Sequence, residues 1–140
     1  NAVFEASAAV AAKLPQSLPA AIQKAHGFAP PVILRSAAQL KAALKANPFK
    51  AKAPEDALHI GFLADKPSAA AITTLAPTLA PGEAFKVLGA EIHLHFPLGL
   101  AKTKLTNAYI DSRLKTICTV RNWRTTQTLL AMAEGKDPGA

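Results

Sequence analysis

The chain has 140 residues, half of them hydrophobic and 18% charged, which is enough for one domain with a real core and too apolar for a disordered segment. Sixteen Lys and Arg against nine Asp and Glu give a formal net charge of +7, a balance that attracts anionic ligands, acidic partners or nucleic acid. One cysteine, Cys118, excludes an internal disulfide framework, and no long apolar run or basic leader is visible, so a cytoplasmic protein without a membrane partner is expected.

Ala2–Glu5 reads as a short strand. A strand needs a neighbour to bond with, so this one suggests a chain that lacks its beginning and self-associates through the exposed edge. Ser7 caps a helix carrying Val10, Leu14, Leu18 and Ile22 and closing at His26-Gly27, with a break expected near Pro15. PVILR, residues 31–35, is a strand by its β-branched content. Ser36 caps a helix in which Leu40 and Leu44 pair at i,i+4 beside Lys41 and Lys45, and Asn47-Pro48 stops it. LHIGFLA, residues 58–64, alternates as a half-buried strand with Leu58, Ile60 and Phe62 on one face.

Ser68 opens a helix reaching about Leu79, and AFKVL (84–88) and EIHLHF (91–96) form a hairpin around Gly89-Ala90. A loop over 97–105 feeds a helix through Leu105, Tyr109, Ile110 and Leu114. Thr119 caps a last helix, Val120 to Ala133, closed by Gly135. Helices alternating with strands that include a hairpin give an α+β fold, a mixed or antiparallel sheet with helices packed on one face.

TVRNWRT, residues 119–125, concentrates unusual chemistry: the single tryptophan and two of the four arginines. In the helix expected here, Arg121 and Arg124 share a face, with Val120, Trp123 and Leu130 on the other. Cations at a helix N-terminus oppose the macrodipole, so a bound anion held by both guanidinium groups and the Asn122 amide would suit them. Pairing with carboxylates elsewhere in the fold, with Trp123 simply part of the core, is the commoner use of such residues. EIHLHF puts Glu91, His93 and His95 on one strand face, a weak metal-ligand candidate. Alternation gives the simpler account, in which Ile92, Leu94 and Phe96 face the helices and the histidines are the polar face; no metal or cofactor is expected. Phosphate-loop, dinucleotide, nucleophile-elbow and zinc-protease motifs are all missing from the sequence, and no paired carboxylates offer general acid–base catalysis.

Several blocks, in order along essentially the whole chain, resemble the domain-of-unknown-function 1697 family of bacteria. They are AVFEAS, NPF (47–49), LHIGFL, IHLHFPLGLAKTKLTN (92–107) and TVRNWRTTQTLLAMA. The matching motif positions are Asn47, Pro48, Phe49, Pro97, Gly99, Lys104, Leu105, Arg121, Asn122, Trp123 and Thr125. The resemblance implies two ferredoxin-like halves. Residues 1–35 would be the last strand–helix–strand of the first, and 36–140 the second with C-terminal helices; the family's opening L-R-G-I-N-V-G-G block has no counterpart. It supplies no mechanism.

Three functions follow. The first is a non-catalytic binding module taking a phosphate-bearing ligand or single-stranded nucleic acid at Lys102, Lys104, Arg121, Asn122 and Arg124, although aromatic stacking residues are few. The second is a structural or protein-interaction domain in which the Arg-Asn-Trp segment is a latch. The third is an enzyme of unknown reaction.

Overall fold

Helix starts are written into single side chains. In the computed structural model, which describes residues 1–135, Ser7, Ser36, Ser68, Thr106 and Asn122 each accept a hydrogen bond from the backbone N–H three positions on. They begin α1 (Ala8–His26), α2 (Ala37–Ala46), α3 (Ala69–Thr73), α4 (Asn107–Leu114) and α5 (Trp123–Ala133). Ser36 adds the reciprocal half of a capping box, its own N–H donating to Gln39 Oε1 at 2.8 Å.

Four strands, β1 (Leu58–Leu63), β2 (Ala84–Leu88), β3 (Glu91–His95) and β4 (Cys118–Asn122), pair antiparallel in the spatial order β2-β3-β1-β4. With α3 and α4 as the two crossovers, Leu58–Asn122 is a β-α-β-β-α-β ferredoxin-like unit, and the protein is α+β. Both crossover helices lie on one face of the sheet, where Ile92, Leu94 and Phe96 pack with Leu75, Ile110 and Leu114. On the opposite face Leu58, Ile60 and Phe62 meet Leu40, Ala43 and Leu44 of α2 and Trp123 of α5. The central strand β1 is therefore buried at all six residues, rather than half-buried as its alternation suggests.

Gly61 sits where the sheet is tightest. A Cβ there would lie 2.5 Å from Ile92 Cγ2 and 2.7 Å from Cys118 Sγ, so no larger residue fits without displacing both. The outer edge of β4 is closed by side chains of α4. Val120 N–H donates to Asn107 Oδ1 at 3.2 Å and Cys118 N–H to Asp111 Oδ1 at 2.6 Å.

The structure corrects the sequence reading at several points. Residues 2–5 and 31–35 are not strands: among the described residues no segment pairs with them, and the ladder that β-branched residues need is not made; the open strand edge expected at 2–5 is not formed. α1 runs through Pro15 and Pro19 without a break, held by its alanines, the Ser7 cap and the Gly27 N–H bonded to Gln23 O at 2.9 Å. α3 ends at Thr73, ahead of the separate 3-10 turn Ala76–Thr78 that contains Pro77. The last helix starts at Trp123, capped by Asn122, and Cys118–Asn122 before it is a strand. Arg121 and Arg124 consequently share no helical face, and Val120 packs with the α3/α4 core while Trp123 packs on the other side of the sheet.

Candidate functional site

The face of the sheet carrying Phe62 and Arg121 continues toward the N-terminus as a cleft of about 910 Å³. Its far wall is residues 1–6 and the first two turns of α1, and its near wall is Ile33–Leu40 with Leu129 and Ala133 of α5. Most of the lining is alanine or larger apolar side chains, so the charged side chains stand out: Glu5, Arg35 and Arg121.

Arg35 is wholly engaged. Its Nη2 donates to Leu63 O at 2.8 Å and Ala90 O at 2.9 Å, its Nη1 to Leu34 O at 2.8 Å, and its Nε lies 3.6 Å from the Glu91 carboxylate. The guanidinium also covers the Phe62 ring, 5.5 Å from its centroid. It ties residue 35 to the end of β1 and to the β2–β3 hairpin. Sequence reasoning took Arg35 only as the end of a strand; the signal was an arginine in a chain whose other cations are mostly lysine, since the guanidinium fork is the group that can hold several acceptors at once.

Arg121 is differently placed. On β4 it stands opposite Ile60 of β1, half-buried, in the cleft wall. Its Nε donates to Asn1 Oδ1 at 2.8 Å and its Nη1 to Val120 O at 2.9 Å. Among the described residues no carboxylate pairs with it. α1 and α2 both begin at this cleft, through Ala8 and through Ser36 and Ala37, and neither has an acidic residue in its first turn. Their N-terminal partial charges add to the positive potential there.

The other expected site residues lie elsewhere. Lys102 and Lys104 are exposed on the loop between β3 and α4, Arg124 is exposed in the first turn of α5, and the Asn122 amide oxygen is occupied as the α5 cap, accepting from Thr125 N–H at 2.7 Å. None of the four lines the cleft that holds Arg121. Trp123 is 2% exposed, with Lys50 Nζ 5.8 Å from its ring centroid.

Asn47 Oδ1 accepts from Phe49 N–H at 2.8 Å, turning the chain so that Phe49, which follows Pro48, stacks on His95. Gly99, two residues after Pro97, takes a left-handed φ of 78° and donates to Phe96 O. Leu105 lies ahead of α4 rather than in it, because the Thr106 cap starts that helix at Asn107; it is buried in the α3/α4 core, and its N–H donates to Thr103 Oγ1 at 3.1 Å.

The histidines do not form a site. His93 and His95 do share a face opposite Ile92 and Leu94, but that face is covered, and His93 is 1% exposed instead of solvated. Burial pushes the His93 imidazole down to about 4, so it is neutral at ordinary pH, and burial lowers His59 as well, against a backbone hydrogen bond at Ala57. His59 points to the opposite side of the sheet, against the Phe96 ring. No three His, Cys, Asp or Glu side chains converge among the described residues. Cys118 is buried, and burial foremost, with the nearby Asp111 carboxylate, pushes its thiol up to about 12, far from a nucleophile.

These features define a class: an α+β protein with a doubly covered ferredoxin-like sheet and an open, arginine-bearing cleft beside it. The chain belongs to the family described as "Protein of unknown function (DUF1697)", whose sequence profile matches residues 1–93. That span includes Asn47, Pro48 and Phe49 and ends in β3, so Pro97, Gly99, Leu105 and the Arg-Asn-Trp segment lie beyond it. No curated protein and no solved structure matches the chain. No described helix is long and apolar enough to cross a membrane.

Proposed function

We propose that this protein is a non-catalytic binding module that takes a small anionic ligand in the cleft between its N-terminal segment and the sheet. The observation that carries this reading is Arg121: a half-buried guanidinium in the wall of a largely apolar cleft, with no carboxylate partner among the described residues. A buried or half-buried cation without a counter-charge is costly, and a bound anion supplies that charge. The first turns of α1 and α2, free of acidic residues, favour the same sign of ligand. The exposed Lys102, Lys104 and Arg124 then contribute long-range attraction rather than contact. Single-stranded nucleic acid fits less well, because the cleft offers Phe4 and Phe62 as its aromatic rings.

A structural role for the Arg-Asn-Trp segment has its own support in the burial of Trp123 against α2 and the Asn122 cap of α5. The two readings divide the segment between them: Trp123 for the core, Arg121 for the ligand. A thermal-shift panel of inorganic phosphate, nucleotides, carboxylates and short oligonucleotides, run on the native chain and on Arg121→Ala, tests the binding role. Stabilisation by a small anion that disappears in Arg121→Ala is expected. Anion effects that are equal in both proteins would contradict it.

A further inference from the structure

Resting on that reading, we infer that the ligand is an apolar monocarboxylate, and that the Asn1 side chain occupies the position of one of its carboxylate oxygens. The two hydrogens on the Nε/Nη2 edge of a guanidinium point the same way and match the two oxygens of a carboxylate. At Arg121 an amide oxygen, Asn1 Oδ1, already sits on Nε at 2.8 Å, while Nη2 makes no bond among the described residues. An incoming carboxylate replaces the amide oxygen and adds the bond to Nη2 that Asn1 leaves unmade.

The charge count favours a monoanion over a phosphate. Arg35, the other guanidinium in the wall, has its donors committed to Leu34, Leu63, Ala90 and Glu91, and Glu5 in the same wall works against a dianion. One fork remains, enough for one carboxylate. Beyond it the cleft is walled by Phe62, Leu40 and Leu129, which suits a hydrocarbon body, and its size lies in the range of small-ligand pockets.

Isothermal titration with octanoate, octanol and inorganic phosphate tests this, on the native chain and on Arg121→Lys and Asn1→Ala. Octanoate is expected to bind, octanol and phosphate at least about tenfold more weakly. Arg121→Lys, which keeps the charge and loses the fork, is expected to weaken octanoate by about tenfold. Asn1→Ala, which removes the competing oxygen, is expected to tighten it. Phosphate binding better than octanoate in an Arg121-dependent way would overturn the carboxylate and leave the anion reading standing. Octanol binding as well as octanoate, with Arg121→Lys unchanged, would overturn both. Failure of octanoate alongside an Arg121-dependent response in the anion panel would overturn this inference alone.

Discussion

Residues 1–28 and the ferredoxin-like unit at 58–122 are both rich in apolar side chains, and they use them differently. In the unit, every residue of β1 is buried, between α3 and α4 on one face and α2 and α5 on the other. In the N-terminal region no residue is buried, the first in the chain being Leu40, and Val3, Phe4, Val10, Leu18 and Phe28 are among the exposed large hydrophobics. α1 is a helix by local chemistry alone, caps and alanines, while β1 is a strand because its neighbours make it one. Local propensity can form an element without committing it to the core. The cleft lies at the boundary between these two kinds of structure, where a fixed wall faces a loosely held one.

The largest effect is expected at the heart of the unit. Trp123→Ala removes the biggest fully buried side chain from the α2/α5 side of the sheet and should cost about 3–5 kcal/mol in chemical denaturation. Next is the tie between the two regions. Arg35→Ala takes the partner from the Glu91 carboxylate and a donor from three backbone carbonyls, of which Ala90 O keeps the Leu63 N–H, and a loss of about 2–4 kcal/mol is expected. A loss near zero would mean that the N-terminal region is not anchored through residue 35.

Acid should act on the unit through its buried imidazoles. His93 has a folded value lowered to about 4 against 6.5 in the unfolded chain, so its contribution is complete above pH 6.5. As pH falls from 6.5 toward 4 the unfolded state takes up a proton that the folded state refuses, and stability declines by about 1–3 kcal/mol. His59 adds to the decline in the same direction. His93→Gln should flatten this part of the pH–stability profile. The smallest effect belongs to the N-terminal region: Val10→Ser, on the exposed side of α1, should change global stability by less than about 0.5 kcal/mol.

The sequence was legible where the determining interactions are local. Ser7, Ser36 and Ser68 are caps that act within three residues, and all three mark helix starts. The Gly89-Ala90 hairpin and the alternation of Ile92, Leu94 and Phe96 are likewise short-range signals. What was hidden depends on distant partners. Cys118–Asn122 alternates over too few residues to separate it from the following helix, and its strand state comes from pairing with β1 and from Asn107 and Asp111 across its edge. Residues 2–5 and 31–35 carry equally good strand composition and find no partner among the described residues. The cleft was invisible for the same reason, since Asn1, Arg35 and Arg121 are brought to one face only by the tertiary fold.

Amide hydrogen exchange, read segment by segment in the native chain, tests the division between the two regions most directly. Amides of Ile60–Leu63 are expected to exchange only through global unfolding, while those of Ala8–His26 exchange orders of magnitude faster, through local opening that leaves the sheet intact. Equal protection of α1 and β1 would show that the N-terminal region is part of the cooperative core, and would contradict a cleft with one yielding wall.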